Sequence, residues 1–435
     1  MPSSIAYVVF LLAASAATTA ILARRRASRP WQAVLVAVAS ATSVVSFGVL
    51  SWGHATPFGD FDKAYYPAGS VILSDPARLY ACEISNVCFV NIPIVAVFFA
   101  PLALLGRATA HGVYTAVGIA AVATAVWLLI RQTRAQGWRR YGIIALFAMN
   151  GPLLYSVRLG NTSHIVVPII ALAFICATRG REAAGSALLA VATIIKPPLL
   201  LFLPYFAARG RWRAALGLAG CLLLTWIVSE WWFGRELHTV WLRDIASPFG
   251  GRPLAAYNVQ SISGLLARIF EPGNLTNWMP LEVDRTFTAL RYALTASIAL
   301  AAGLPALARG TPRTPEAQWL ELCIVLMLTL LVSPITWTHY YAFCLIPLAA
   351  YVAGTFTISG IASRLTLSCA AVLVSLPVVL AIPASRLLRN LVERVFISHY
   401  VIGGVLLMCV LSISTRTKNA SVVDGTEGPS RRSGG

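Results

Sequence analysis

Residues 112–130 read GVYTAVGIAAVATAVWLLI, and the arginine-bearing segment RQTR follows at residues 131–134. A helix of about 20 apolar residues is long enough to cross the hydrocarbon core of a bilayer. Arginines directly after such a helix mark its cytoplasmic end. Comparable apolar runs recur along most of the chain. The pattern therefore predicts an all-α polytopic membrane protein.

The composition supports a membrane protein. Of the 435 residues, 58% are hydrophobic and 11% are charged, whereas a soluble domain carries about 25% charged residues. The net charge is +18, which in a soluble protein would suggest binding to nucleic acid. Here the arginines cluster in short loops between apolar runs, as cytoplasmic loops do. We therefore assign the charge to membrane topology and predict no nucleic-acid partner.

Hydropathy predicts about 13 transmembrane helices, with the N-terminus outside and the C-terminus in the cytoplasm. In chain order they cover residues 5–22, 32–52, 112–130, 141–157, 165–178, 183–196, 199–208, 214–233, 288–307, 317–335, 340–357, 363–383 and 395–414. The arginines at 24–26 follow the first apolar run, which is the reverse of the order in a signal peptide. Residues 1–415 are predicted to form one membrane domain, and the polar tail 416–435 to be disordered and cytoplasmic.

Two long loops are predicted on the outer face, at residues 53–111 and 234–287. Within the first, residues 92–105 are apolar but short and flanked by proline. If they crossed the membrane, the arginines after residue 130 would lie outside, against the positive-inside rule. We therefore expect an interfacial helix on the outer leaflet. The loop 53–111 is the expected catalytic loop.

The polar residues collect on one predicted face, which suggests a site that opens to the outside. Asp60 and Asp62 lie two residues apart in the first external loop, beside Tyr65 and Tyr66. On a strand the two carboxylates would share a face, and on a helix they would diverge. One of them is a candidate general base for a hydroxyl group. The alternatives are a solvated loop or an aspartate that caps the helix near Lys63.

Several basic residues are candidates for binding a phosphate group. Lys196 ends an apolar helix on the predicted outer side, whereas lysines at helix ends favour the cytoplasmic side. This position suggests that Lys196 binds a phosphate group. The alternative is a lysine that snorkels from the end of a span to the membrane surface. Arg158 and Arg268 are weaker candidates for the same role. His339 follows Trp337 at an outward helix end, where an aromatic belt explains the tryptophan better than the histidine.

The eight cysteines show no convincing zinc pattern. Six of them lie in apolar runs and are typical of small buried hydrophobes. Cys82 and Cys88 share the first external loop, where a disulfide or two free thiols are both compatible with the sequence. No cofactor or required metal is predicted.

Several short motifs follow one another between about residues 32 and 350. They are Asp60-Phe61 with Tyr65-Tyr66, Asp75-Pro76 and Leu79-Tyr80; Pro93 with Ala100-Pro101-Leu102-Ala103; Gly160-Asn161; Ile194-Ile195-Lys196-Pro197-Pro198-Leu199; Arg209-Gly210-Arg211-Trp212-Arg213; Asn258, Gln260-Ser261 and Gly264-Leu265-Leu266-Ala267-Arg268; and Ser333-Pro334-Ile335-Thr336-Trp337-Thr338-His339. In this order they resemble glycosyltransferase family 87. Its members include polyprenyl-phosphate-mannose-dependent mannosyltransferases and related arabinofuranosyltransferases of the GT-C class.

The resemblance implies a GT-C-like bundle, a polyprenyl-phosphate sugar donor, a glycolipid or glycan acceptor and an active site on the extracytoplasmic face of the cell membrane. The base would be Asp60, with Asp62 in reserve. Lys196, Arg158, Arg268 and His339 would bind the donor phosphate. Candidate substrate contacts are Tyr65, Tyr66, Asn161, His164, Asn258, Gln260 and Trp337. The family often has Gly-Gln at Gly160-Asn161 and a histidine pair at His339-Tyr340, and both differences bear on the sugar and the acceptor.

The sequence hypothesis is thus an inverting glycosyltransferase that moves a hexose, first of all mannose. The alternative is a polytopic transporter or lipid flippase. That alternative would predict internal repeats and polar groups on both membrane faces, whereas the polar residues of this chain collect on one.

Overall fold

The computed structural model describes residues 57–81, 88–273, 275–308, 310–312, 314–377 and 385–423. Most of these residues are helical. The α-helices are α1 (Tyr66–Ser74), α2 (Pro93–Val97), α3 (Ala100–Ala103), α4 (Arg107–Thr133), α5 (Trp138–Ala148), α6 (Gly151–Leu159), α7 (Ser163–Thr178), α8 (Glu182–Ile195), α9 (Phe202–Ala208), α10 (Trp212–Phe233), α11 (Arg235–Val240), α12 (Ser247–Gly251), α13 (Ile262–Phe270), α14 (Arg285–Ala308), α15 (Pro315–Val332), α16 (Leu345–Ala353), α17 (Ile361–Ser375), α18 (Arg386–Arg394) and α19 (His399–Val423).

Shorter helical segments of other types join them. Two π-helices occupy Phe61–Tyr65 and Trp241–Ala246. The 3₁₀-helices are Pro76–Arg78, Pro197–Leu201, Thr338–Cys344 and Phe396–Ser398. In the described part of the chain, the only β pairing is an isolated bridge between Val259 and Trp337. The prediction of an all-α fold is confirmed for these residues.

Within the described residues, five helical segments are long and apolar enough to cross a bilayer. They are Arg107–Thr133, Trp212–Phe233, Arg285–Leu304, Pro315–Val332 and Arg386–Ser414. A sixth span is possible if the bent pair α5–α6 is counted as one. Several further apolar helices are 10–17 residues long. The protein is therefore a multi-pass helical membrane protein.

The predicted number of about 13 spans is not confirmed by the described residues, which contain five candidate spans, or six with the bent pair. The predicted spans 5–22 and 32–52 lie outside the described residues. Each of the other eleven overlaps a helix, but five of these helical segments are shorter than a straight span requires. The last helix, α19, continues to Val423, beyond the boundary predicted for a disordered tail at residue 416.

The predicted span 141–157 is broken rather than straight. α5 and α6 meet at an angle of 50°. Asn150 caps α6, because its buried Oδ1 accepts a hydrogen bond from Leu153 N at 2.9 Å. Pro152, in the first turn of α6, has no backbone N–H to continue the helix from α5. A polar cap and a proline thus change the chain direction inside an apolar run.

The prolines after Lys196 break the next pair of helices. α8 ends at Ile195, and Pro197–Leu201 forms a 3₁₀-helix before α9 begins. Lys196 itself adopts a non-helical conformation with φ −132° and ψ 84°. The break places its side chain inside the protein, where only 3% of the residue is exposed.

The centre of the bundle is α7, which packs against α4 on one side and α8 on the other. Three quarters of its residues are buried. By contrast, only 22% of the apolar windows of α4 and α10 are buried, so these helices present most of their surface to lipid. α4 and α7 approach closely at Gly118, where a Cβ atom would lie 2.5 Å from Nε2 of His164.

A buried ion pair joins α9 to α15. Arg209 donates through Nε to Glu321 Oε2 at 3.0 Å, and its Nη2 contacts Glu321 Oε1. Tyr205 donates its hydroxyl to the same carboxylate at 2.9 Å. The acid that the sequence places inside a span therefore has its charge compensated within the protein.

Candidate functional site

The polar site forms where the loop before α1 meets the turn between α6 and α7. Phe58 N donates to Arg158 O at 2.8 Å, which ties the loop to the end of α6. Gly160 turns the chain with φ +63°, and a Cβ atom there would lie 2.6 Å from Cβ of the buried Phe61. A glycine is required at this position because both the dihedral angle and the contact exclude a side chain. The turn brings Asn161 beside Asp60.

Asp60, Asn161 and Lys196 form a continuous hydrogen-bonded chain. Asn161 Nδ2 donates to Asp60 Oδ2 at 2.6 Å. Asn161 Oδ1 accepts from Lys196 Nζ at 3.0 Å. The amide therefore separates a carboxylate from an ammonium group while it bonds to both. Lys196 also lies over the ring of Tyr340, with Nζ 4.5 Å from the ring centroid.

The orientation of the Asn161 amide is fixed by its other neighbours. Ser163 N donates to Oδ1 at 3.0 Å, and Tyr65 OH lies 3.3 Å from Nδ2. Tyr114 donates its hydroxyl to the Asn161 carbonyl at 2.9 Å. A flipped amide would place its N–H groups against Lys196 and the Ser163 N–H, so only one orientation satisfies all partners.

The tautomer of His339 follows from the same hydrogen bonds. Ser163 Oγ lies 3.2 Å from Asn161 Oδ1 and 2.8 Å from His339 Nδ1. Because Asn161 Oδ1 can only accept, the hydroxyl proton of Ser163 points to it, and Ser163 Oγ accepts from Nδ1–H of His339. In the neutral ring Nε2 is then an acceptor. Within the described residues Nε2 has no hydrogen-bond partner.

The environment of Asp60 disfavours its ionised form. Burial raises the pKa of the Asp60 carboxyl above its ordinary value. The hydrogen bond from Asn161 and the charges of Lys196 and Lys63 act in the opposite direction. A carboxylate with a raised pKa, held beside a cation and a fixed amide donor, is suited to accept a proton.

Asp62 faces away from Asp60. Its Oδ1 lies 2.7 Å from His111 Nε2 and 3.8 Å from Arg107 Nε. The ring of Phe58 stacks on His111 with centroids 4.0 Å apart. Asp62 thus holds the loop against the start of α4, and the two aspartates diverge as they would on a helix.

The tyrosine pair is also divided. Tyr65 is buried, contacts Asn161 and stacks on Phe99 with centroids 4.6 Å apart. Tyr66 instead donates its hydroxyl to Leu105 O at 2.8 Å and does not contact the Asp60 cluster. The structure therefore places one of the two tyrosines at the site.

The remaining candidates near this turn differ in their surroundings. His164 is buried, and its Nδ1 lies 2.9 Å from Ser156 Oγ, so it closes the turn between α6 and α7. The Arg158 carbonyl anchors the loop through Phe58. Cys88 is disulfide-bonded. Cys82 lies outside the described residues, so the structure does not identify it as the partner of Cys88, and that pairing stays one of the two alternatives given by the sequence.

Arg268 belongs to a second cluster, away from Asp60. It is fully buried, and Nη1 donates to the carbonyls of Ala256 and Val259 at 2.9 and 2.8 Å. Its Nε and Nη2 both contact Ser398 Oγ, at 3.1 and 2.9 Å. With these donors engaged by the protein, Arg268 is placed to hold the loop before α13 rather than a phosphate group.

Asn258, Gln260 and Trp337 belong to this second cluster. Asn258 O accepts from Thr338 N at 2.8 Å, and Asn258 Oδ1 accepts from Trp278 Nε1 at 2.9 Å. Gln260 Nε2 donates to the carbonyls of Tyr257 and Ile397, both at 2.7 Å. Trp337 pairs with the loop in the isolated bridge. Together they brace the segment that carries His339 into the site.

Four residues that contact the predicted candidates were not among them. Ser163, Tyr114 and Tyr340 contact Asn161 or Lys196, and His111 contacts Asp62. Hydroxyl groups and single rings carry no distinctive signal in an apolar chain. Only Ser163, two residues after Asn161, could have been suspected from its neighbour.

The glycosyltransferase family 87 model matches residues 89–334, which is more than half of the chain. The match includes Asn161 and Lys196, whereas Asp60 and His339 lie on either side of it. No curated protein matches the chain at a significant level. With its apolar helices and this match, the chain belongs to glycosyltransferase family 87 and is a multi-pass membrane glycosyltransferase.

Proposed function

We propose that the protein transfers a hexose, first of all mannose, from a polyprenyl-phosphate sugar to a lipid or glycan acceptor. The observation that carries the proposal is the chain Asp60–Asn161–Lys196. It holds a proton acceptor and a cation on opposite sides of one amide. Glycosyl transfer from a phosphate donor needs both, because the nucleophile loses a proton and the leaving group gains negative charge.

In the proposed reaction, Asp60 accepts the proton of the acceptor hydroxyl. The oxygen forms a bond to the anomeric carbon of the donor from the face opposite the phosphate. The bond from that carbon to the phosphate oxygen breaks, and polyprenyl phosphate leaves with the electron pair. The configuration at the anomeric carbon is inverted. The leaving group needs no proton because it departs as a stable anion.

Lys196 is the proposed partner of the leaving phosphate. Its ammonium group has three N–H donors, and one of them bonds to Asn161. The ammonium group also lies over the ring of Tyr340. A neutral His339 presents an acceptor at Nε2. It would therefore contact a sugar hydroxyl, or the phosphate only after protonation.

The proposed setting is the cell membrane, with the site open to the extracytoplasmic face and the lipid tail of the donor among the helices. Family membership favours a transferase over the alternative of a transporter or lipid flippase. The acceptor is proposed by class alone, as a glycolipid or glycan within reach of the membrane surface.

The test uses purified protein in lipid, radiolabelled polyprenyl-phosphate mannose and a crude glycolipid extract. We expect transfer by wild type and none by Asp60→Asn, with donor binding retained. Asp62→Asn, two residues away in the sequence, is the matched control and should retain most of the activity. Equal transfer by wild type and Asp60→Asn would remove Asp60 as the base.

A Lys196 variant tests the cation at the other end of the hydrogen-bonded series Asp60–Asn161–Lys196. We expect Lys196→Met to lower kcat about 100-fold or more, as for the loss of one charge-stabilising donor. If no variant and no wild-type sample transfers mannose, other sugar donors should be compared before the reaction class is abandoned.

A further inference from the structure

A small cavity lies between the start of α14, the start of α13 and the segment that follows α15. Its volume is about 80 Å³, and its lining includes Gly250, Ser263, Arg291, Tyr292 and Pro334. A water needs only about 10–15 Å³ on the same measure, so this space accommodates a group of several heavy atoms. None of these five residues contacts Asp60, Asn161 or Lys196.

Arg291 supplies a buried positive charge to this cavity. The residue is 7% exposed, and its Nη1 donates to Gly251 O at 3.0 Å. Among the described residues, no carboxylate lies within 4.0 Å of its guanidinium group. A buried charge without a counter-charge is costly, and the remaining guanidinium N–H groups can still donate. The cavity is therefore suited to an anion.

A second polar group, independent of Arg291, also lines the cavity. Ser263 is 3% exposed, and its Oγ has no hydrogen-bond partner among the described residues. A buried hydroxyl without a partner loses about 1–3 kcal/mol of hydrogen bonding. A bound group with oxygen atoms would satisfy the guanidinium directly, and it would satisfy the enclosed Ser263 hydroxyl once that side chain turns toward the cavity.

The position of the cavity indicates where the anion comes from. Arg291 and Tyr292 lie near the N-terminal end of α14, a candidate membrane span with only 17% of its apolar window buried. Tyr292 is 61% exposed, and the neighbouring Leu290 and Leu294 are also exposed. The cavity thus adjoins an exposed apolar surface in the N-terminal half of a candidate span.

We propose that this cavity binds the phosphate group of an anionic phospholipid of the bilayer. Arg291 would form charge-assisted hydrogen bonds to the phosphate oxygens, and Ser263 would donate its hydroxyl. The Tyr292 ring, 4.8 Å from the guanidinium carbon, holds Arg291 in place. The proposal does not depend on the reaction assigned to Asp60.

The test measures lipid retention by the full-length protein in zwitterionic nanodiscs. Phosphatidylglycerol is added, and bound lipid is counted by native mass spectrometry. We expect one tightly retained phosphatidylglycerol per chain. Arg291→Gln should weaken its binding about 10-fold or more, and Ser263→Ala should weaken it by a smaller factor. The matched control is Arg285→Gln, an exposed arginine two turns earlier on α14.

The outcomes separate the possible sources of the phosphate. Equal weakening by Arg285→Gln would show a general surface charge effect and overturn the proposal. Occupation by inorganic phosphate instead of lipid, or displacement by polyprenyl phosphate but not by phosphatidylglycerol, would also overturn it. If Arg291→Gln does not fold, Ser263→Ala and Arg291→Lys carry the test, and unchanged retention in both would reject the site.

Discussion

At the scale of single residues, Asn161 decides the geometry of the proposed site. It was predicted to contact substrate, but its side-chain oxygen and nitrogen are both occupied by protein groups. It is therefore better described as a positioning residue for Asp60 and Lys196. Its short side chain suits this role, because an added methylene would push the amide into one of its two partners.

The first prediction concerns Asn161→Ala. The variant removes a hydrogen bond to a carboxylate, which is worth about 1.5–3 kcal/mol, so we expect a loss of about 10–100-fold in kcat. Because that hydrogen bond lowers the Asp60 pKa, the acid limb of the pH–rate profile should also move to higher pH. Asn150→Ala, which removes a structural cap, should lower stability and leave the limb in place. A lower kcat with an unmoved limb would contradict the positioning role.

The second prediction concerns Asp60 and pH. Since burial raises its pKa, transfer should fall as pH is lowered through a value above that of an ordinary aspartate. The same raised pKa means that the folded state binds this proton more tightly than the unfolded state, so the stability contribution of Asp60 decreases as pH rises through that range. Above it, Asp60→Asn should be inactive with a thermal midpoint equal to or higher than that of wild type. A clearly lower midpoint would argue for a structural role.

The sequence drew attention to residues whose type is rare in their setting. A carboxylate and a lysine are conspicuous in a chain that is 58% hydrophobic, and Asp60 and Lys196 were found for that reason. Arg268 was conspicuous in the same way, yet its donors serve the protein. Burial of a charge can be inferred from sequence, but its partners depend on the tertiary fold.

At the scale of elements, the turn from α6 to α7 places Asn161 beside Asp60. Gly160→Ala should destabilise the protein by about 1–2 kcal/mol from its left-handed backbone alone, and the clash with Phe61 should displace Asp60. We expect a large loss of transfer activity. Gly180→Ala is the matched control, because Gly180 has φ +75° with nothing within 4 Å of the added Cβ atom. Equal activity in the two variants would show that the Phe61 contact is unimportant.

The ion pair between α9 and α15 gives the fourth prediction. Arg209→Met leaves Glu321 buried without its counter-charge, which should cost about 3–5 kcal/mol and lower the thermal midpoint. The double variant Arg209→Met with Glu321→Leu should recover most of this loss. Asp244→Asn, in the exposed Arg243–Asp244 pair, should leave the midpoint unchanged. No recovery in the double variant would mean that packing, not charge, sets the effect.

At the scale of the whole molecule, helix positions were predictable and helix lengths were not. Hydropathy located a helix at every predicted span within the described residues. The breaks at Asn150 and Lys196 escape hydropathy, because one polar residue and one or two prolines change the mean hydropathy of an apolar run very little. The straight spans are therefore interrupted by local caps and prolines, and the break at Lys196 contributes directly to the polar site.

The final prediction concerns the side of the membrane on which the site opens. The exposed native thiols Cys369 and Cys409 are first replaced by alanine. Ser74→Cys and Arg213→Cys are then compared for labelling by a membrane-impermeant maleimide in intact cells. We expect labelling at position 74 and none at position 213 until the membrane is opened. Both side chains are exposed in the structure, so burial does not explain the difference. Labelling of position 213 alone would invert the proposed topology.

The π-helix at Phe61–Tyr65 has a consequence for how this segment can change over evolutionary time. It accommodates one more residue in its turn than an α-helix does. Losing a residue here would let the segment relax into an ordinary helix, but it would rotate everything before the deletion by about 100° relative to everything after it. Asp60 would then turn away from Asn161 while Tyr65 stayed in place. The segment should therefore tolerate changes in residue type more readily than changes in residue number.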